Sequence, residues 1–413
     1  MTLVKTSILT AISTIIRVLS GFVINKVLAI YVGPSGLALV GQLRDFLGTI
    51  FTFSTGAVDN GIVKYTAEYK SMEQKAKIFS TSITISLICS AIIAIVALFF
   101  KDELSELILK DTKYSSVFLI LAFTVSLYAL NGVLQQILNG QKEIKKYILI
   151  NIISSIFSLF FTSFLIYHFH LIGAFYALVL NQSVIFFITL TFVAKSSWFK
   201  LKYFVLGLDK ESLIKLSQFS LMAIVSAISV PASYIIVRDY IGSHIDWDSA
   251  GYFQGVKYIS DVYLMVITTS LSVYYLPRLS EITDTKELKK EIIDGYKIIL
   301  PIVIILALGV YIFRDLVIAI AFTDKFSAME KLFKWQLIGD VIMISSWILA
   351  YLMLAKAMTK VFVITEVISS ILFVVLSILF INNFGLVGVT YAFALNYLIY
   401  LFTMLFIFRK VFK

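Results

Sequence analysis

Charge is scarce in this 413-residue chain: Asp, Glu, Lys and Arg make up 15 % of it, against 60 % hydrophobic residues. A soluble domain carries about 25 % charged and roughly 45–50 % apolar residues. The composition therefore excludes an ordinary soluble domain and indicates a chain that crosses a membrane repeatedly. Cysteine is nearly absent, and the single Cys89 excludes an internal disulfide. The three histidines, His168, His170 and His244, fall in loops without metal-ligand spacing, so no metal site is expected. No GxxxxGK[ST] segment occurs, which excludes ATP hydrolysis through that phosphate loop. The N-terminus lacks a small-residue cleavage pattern and carries Arg17 in its apolar stretch, so it reads as a retained first span.

Long apolar runs are what the sequence has in abundance. About 20 such residues cross a bilayer. Runs of that size fall at 6–32, 36–66, 78–99, 116–139, 146–168, 172–194, 213–241, 250–277, 296–313, 329–355, 361–381 and 387–408, predicting twelve spans. The net charge of +10 is dispersed through short loops, a pattern of membrane topology and not of nucleic-acid binding. One side of the membrane receives 23 Lys and Arg and the other 8, which predicts that both termini are cytoplasmic.

The two halves repeat. "FHLIGAFYALVLN" (169–181) and "FGLVGVTYAFALN" (384–396) share seven of thirteen residues at a shift of 215. The same shift pairs Ser154–Ser155 with Ser369–Ser370 and Gly36 with Gly251, and "TKYSS" (112–116) resembles "DKFSA" (324–328). Six spans per repeat place both halves in the same orientation, the pattern of transporters whose substrate site lies between two bundles. The expected fold is an all-α membrane protein of two parallel six-helix repeats. The expected lobes are 1–195 and 213–413, joined by a cytoplasmic linker, 196–212.

Polar residues inside the spans mark candidate sites. In the second span Asp45, Gly48, Thr52, Thr55 and Asp59 recur at spacings of 3 and 4, one face of an α-helix. The equivalent eighth span carries Gln254, Lys257, Asp261 and Thr268 in the same manner. Both stripes should face a watery cavity. Lys257 and Asp261 read either as ligand contacts or as an i,i+4 pair that neutralises itself. Arg17 and Lys26 in the first span are nine residues apart and share a face only if the helix bends, for which Ser20–Gly21 offers a place. Pro231 interrupts the matching seventh span, so Gly21 and Pro231 are the hinge candidates. Asp340 and Glu366 are isolated acids in spans ten and eleven, each a candidate for carrying a proton or Na⁺, or else a helix-to-helix hydrogen-bond partner. With four basic and five acidic residues within the spans, the cavity is not plainly cationic. "DWD" (246–248) reads as the cap of span eight, or as an acidic pair of a membrane glycosyltransferase.

Four segments carry a family resemblance: "GPSGLALVGQLRDF" (33–46), "DWDSAGYFQGVKYISDVYL" (246–264), "SVYYLPRLSEIT" (272–283) and "DKFSAMEKLFKWQLIGDV" (324–341). Over essentially its whole length the chain resembles the Wzx-type polysaccharide flippases of the MATE-like multidrug/oligosaccharidyl-lipid/polysaccharide superfamily. Within that family it is similar to flippases for the lipid-linked trisaccharide of enterobacterial common antigen and for O-antigen units. The resemblance implies translocation of an undecaprenyl-pyrophosphate oligosaccharide across the bacterial inner membrane by two lobes that alternate in access. It also implies a polysaccharide polymerase and a chain-length regulator as partners beside the membrane lipids, and no cofactor beyond H⁺ or Na⁺ coupling. Arg17, Lys26, Arg44 and Lys257 fall on the spans whose basic residues line the cavity in related lipid flippases, and become the candidates for the pyrophosphate head group. A multidrug or cation antiporter is the alternative within the superfamily.

Overall fold

The computed structural model describes residues 3–217 and 220–412. Among these residues the chain is helical throughout, without a strand. The helices are α1 (Leu3–Tyr31), α2 (Gly33–Ser54), α3 (Asp59–Glu68), α4 (Met72–Phe99), α5 (Lys101–Leu109), α6 (Ser115–Gly140), α7 (Ile144–Ala194) and α8 (Lys210–Ser217). They continue with α9 (Ser220–His244), α10 (Trp247–Ser270), α11 (Leu276–Glu281), α12 (Thr285–Ile312), α13 (Arg314–Ala321), α14 (Glu330–Ala355), α15 (Thr359–Phe384), α16 (Gly388–Ile407) and α17 (Arg409–Phe412). Nine helical stretches among the described residues are long and apolar enough to cross a membrane, two of them with 51 and 49 residues. The long ones turn back midway. α7 breaks at His170, and α15 is followed by a turn at Gly385 before α16 begins.

Polar caps set where several helices start, because the first backbone N–H groups of a helix lack intrahelical partners. Ser71 accepts from the Gln74 N–H at the head of α4, Asp246 from Ser249 at α10, and Asp284 from Glu287 at α12. Asp209 heads α8, accepting from both the backbone N–H and the hydroxyl of Ser212, which hold its carboxyl below the usual range. Several helices leave an apolar stripe uncovered. Ile298, Ile302, Ile305 and Ile312 of α12, and Ile364, Ile368, Ile371 and Val375 of α15, are exposed at spacings that make one face. Such faces are stable only where hydrocarbon is the solvent. The chain is a multi-pass membrane protein.

By its contacts the chain divides into one unit of Met1–Val32 with Leu39–Ile228 and another of Gly33–Ala38 with Ser229–Lys413. The division falls inside α9 and not at the connection 196–212. That segment packs into the first unit, where Phe204 and Leu216 join Ile62, Phe79 and Ile137 in the core. In the first unit α6 packs against α4 and α7; in the second, its equivalent α14 packs against α12 and α16. Leu271, Leu279, Ile292, Ile344, Ile348 and Met404 centre the second core.

The repeat extends to the backbone. Lys142 and Ala357, 215 positions apart, have φ of 60° and 50°. Glu143 and Met358, which follow them, sit at φ −79°, ψ 51° and φ −80°, ψ 55°. Short helices α5 and α13 occupy equivalent places, each followed by a 3-10 turn, Thr112–Tyr114 and Asp324–Met329.

One sequence expectation changes. The stripe from Asp45 to Asp59 is not a single helical face, because the helix ends at Ser54 and restarts at Asp59. Gly56 and Ala57 between them have φ of 68° and 55°. Hydrophobicity is continuous across this segment, so Gly56 was the one local cue to a left-handed turn. The α1 helix, in contrast, runs on through Ser20 and Gly21, and α9 through Pro231.

Candidate functional site: polar cavities in an apolar helical protein

In the first unit, α2 carries Arg44 and Asp45 in mid-helix. Arg44 is exposed and borders a cavity of about 350 Å³ lined also by Ile24, Thr162, Asn181 and Gln182. An adjoining cavity of about 270 Å³ shares Gly48, Phe51, Tyr128 and Gln182, and reaches Thr52, Thr55 and Asp59. Its remaining polar walls are Asn131, Gln135 and Gln136 of α6. Phe51 stacks on Tyr128 at a centroid separation of 3.4 Å, forming an aromatic floor. Asn131 donates to Gln182 Oε1 at 2.9 Å, and Thr55 donates to Asp59 Oδ2 at 3.1 Å. Thr52 turns back on its own helix, donating to the Gly48 carbonyl. Amides and hydroxyls against an aromatic floor, with a guanidinium at the edge, can bind sugar hydroxyls and an anionic group at once.

Arg17 and Lys26 lie on α1 outside these two cavities, Arg17 exposed and Lys26 half-buried. The first unit thus gathers Arg44, Thr52 and Asp59 of the expected residues.

The second unit has its own cavity, of about 240 Å³, bounded by Ser233, Tyr234, Glu366, Ser369, Asn396 and Tyr400 among others. Asn396 donates to the Ser369 hydroxyl at 3.1 Å; in the first unit its repeat equivalent Asn181 bonds Ser158. Lys257 Nζ lies 2.6 Å from Asp261 Oδ2 and 4.8 Å from the centre of the Tyr234 ring, which also borders the cavity. Lys257 is 19 % exposed and Asp261 61 %, so the acid is the more open partner. Gln254, one turn back, is buried.

Asp340 is fully buried and accepts three hydrogen bonds, from Ser260 (2.6 Å), Tyr263 (2.8 Å) and Gln336 (3.1 Å). It ties α14 to α10. Glu366, the other isolated acid, faces the cavity. The "DWD" carboxylates are both engaged by backbone: Asp246 caps α10, and Asp248 accepts from the Ser35 N–H at 3.0 Å.

Sequence reasoning by charge passed over Tyr128, Asn131, Gln135, Gln136 and Gln182. The signal was present as "NGVLQQILNG" (131–140), three amides within an apolar span besides its terminal Asn139. Neutral amides in a membrane helix need partners or water almost as much as charges do.

Residues 3–283 match the family described as polysaccharide biosynthesis protein. The chain is 29 % identical over 403 residues to the Lipid III flippase of Escherichia coli (strain K12), spanning 97 % of this chain and 96 % of that protein. The Lipid III flippase of Shigella flexneri matches with the same identity and coverage. Among solved structures, an inward-facing multidrug resistance MATE family transporter of the MOP superfamily aligns with a TM-score of 0.81 at 16 % identity, over 95 % of this chain and 94 % of that one. The lipid II flippase MurJ, in an inward closed conformation, aligns with a TM-score of 0.75 at 20 % identity, over 98 % and 87 %. At those identities the likeness establishes the fold, which is MATE-like.

Proposed function

We propose, from the premise that this chain belongs to the polysaccharide biosynthesis protein family, that it is a flippase for a lipid-linked oligosaccharide. The observation that carries the reading is Arg44, set beside Asn181 and Gln182 on a cavity inside a helical unit whose outer faces are apolar. A glycolipid head group needs a wet path with hydrogen-bonding walls and a cation for its phosphates, while its prenyl tail stays in hydrocarbon. In this reading Arg44 meets the pyrophosphate, with Arg17, Lys26 and Lys257 contributing along the route, and the amides of α6 and α7 meet the sugars.

The finer reading is an undecaprenyl-pyrophosphate oligosaccharide, either an O-antigen unit or the common-antigen trisaccharide, moved from the cytoplasmic to the periplasmic leaflet of a bacterial inner membrane by alternating access. In this reading the two arms of α7, and α15 and α16, count as separate spans and α2 with α3 adds one more, for twelve in all, and the excess of Lys and Arg on one side would put both termini in the cytoplasm. A polymerase and a chain-length regulator would receive the product.

A second reading, a multidrug or cation antiporter, is favoured by one feature, the carboxylate of Glu366 on the second cavity. Deletion of the gene separates the two. Accumulation of lipid-linked oligosaccharide with unchanged drug tolerance supports the flippase; drug sensitivity without accumulation supports the antiporter.

A further inference from the structure

The connection between α7 and α9 turns apolar side chains outward as well as inward. Phe204 and Leu216 pack into the first unit, and Phe204 stacks on Phe79 of α4 at a centroid separation of 5.6 Å. Leu201, Val205, Leu206 and Leu208 are exposed instead, Val205 to 77 % and Leu201 to 74 %. Two hydrogen bonds to α4 fix the level of this segment. Ser80 donates to the Gly207 carbonyl, and Thr81 Oγ1 accepts from the Asp209 N–H, each at 3.0 Å. Ser80 and Thr81 stand one turn past Lys77, the last charged residue of α4 before its uncharged run, 78–99. The exposed leucines and valine therefore sit where α4 passes from head groups into hydrocarbon. The same segment, 195–217, holds five lysines against two acids. Both acids are engaged within the protein, Asp209 by Ser212 and Lys77, and Glu211 by Lys215 at 2.6 Å. Lys195, Lys200, Lys202 and Lys210 are exposed and flank the apolar side chains along the chain.

We propose that 195–217 is an interfacial element that binds anionic phospholipid head groups. Its lysines meet the phosphates, while Leu201, Val205, Leu206 and Leu208 enter the boundary of the acyl chains. Apolar burial and attraction to anionic lipid add in such elements, and each lysine near the surface contributes until salt screens it. The level of the patch, at the head of the uncharged run of α4, and the single sign of its exposed cations favour lipid over a protein partner. None of these residues lines a cavity described above. The element thus concerns the surrounding bilayer and not the transported lipid.

The test uses the purified full chain in nanodiscs free of glycolipid, with Cys89→Ala and a bimane fluorophore on Val205→Cys. The bilayer is phosphatidylcholine doped with nitroxide-bearing phosphatidylglycerol or, at the same fraction, nitroxide-bearing phosphatidylcholine. Quenching by both is expected, several-fold stronger with phosphatidylglycerol, and the preference should shrink as NaCl rises. Lys200→Gln/Lys202→Gln/Lys210→Gln should abolish the preference while quenching by phosphatidylcholine remains. A second label, on Leu201→Cys, should give the same ratio and keeps the test decisive if Val205→Cys fails to fold. Absence of quenching by either lipid, the result of a covering protein or of water, overturns the proposal. Equal quenching by the two lipids, or a preference that survives the triple change, overturns it equally. Failure here leaves the flippase reading untouched, since no lipid-linked oligosaccharide enters the measurement.

Discussion

His170 and Gly385 hold the same backbone turn 215 residues apart, at φ 52°, ψ −128° and φ 63°, ψ −151°. Each stands between two antiparallel arms of one repeat. Positive φ with strongly negative ψ is open to glycine and costs other residues about 1–3 kcal/mol. His170 bears that cost in the first repeat; Gly385 avoids it in the second. His170→Gly is therefore expected to raise stability by about 1 kcal/mol and Gly385→Ala to lower it by about 1–3 kcal/mol. Thermal unfolding of the detergent-purified variants checks both signs.

Three residues past each turn, a glycine lets the arms meet. A Cβ on Gly173 would stand 2.0 Å from the Leu165 carbonyl oxygen, and one on Gly388 would stand 2.1 Å from that of Phe380. These neighbours are backbone and cannot rotate away. Gly173→Ala and Gly388→Ala should each cost about 2–4 kcal/mol, at the upper end of overpacking effects. Fluorescence-detected size exclusion should show a loss of the monodisperse peak in both, while Gly309→Ala, where a Cβ meets nothing within 4 Å, retains it.

Asp340 tests scaffold against ion carrier. Asp340→Leu strands the Ser260 and Tyr263 hydroxyls and the Gln336 amide, each worth about 1–3 kcal/mol when buried without a partner. Asp340→Asn keeps acceptors for the hydroxyls, and its new N–H₂ can serve Gln336 Oε1, which now has no donor. The expected outcome is normal glycan display in Asp340→Asn and poor accumulation of Asp340→Leu. A folded but inactive Asp340→Asn would move this carboxyl into the coupling machinery.

For Lys257 the account places the head group ahead of its Asp261 pair. Lys257→Ala should reduce surface glycan at least tenfold, and adding Asp261→Ala should not rescue it. Rescue by the double change would reduce the 2.6 Å contact to self-neutralisation. Normal insertion levels by immunoblot are the control.

Helix existence was legible because long apolar runs dictate it, and the equivalence of the halves was legible in Phe, Gly, Tyr and Asn of 169–181 and 384–396. The break between Ser54 and Asp59 was not, since Ala57 and Val58 keep the run apolar while Gly56 and Ala57 turn left-handed. The lining of the first unit's cavities was legible where it is charged, at Arg44 and Asp59. It was hidden where its walls are neutral, at Asn131, Gln135 and Gln182, because hydropathy ranks an amide beside ordinary loop residues. The three-donor nest around Asp340 depends on Ser260 and Tyr263 of another helix, which no spacing along the chain reveals.

The central claim is that this chain moves a lipid-linked oligosaccharide with Arg44 at its head-group cavity. The most direct measurement is mass analysis of undecaprenyl-linked oligosaccharides in cells lacking the gene, complemented with wild type or with Arg44→Ala at equal membrane levels. The account predicts that one complete oligosaccharide unit accumulates in the deletion, clears with wild type and persists with Arg44→Ala. A deletion strain with an unchanged lipid-linked pool, or full clearance by Arg44→Ala, would contradict it.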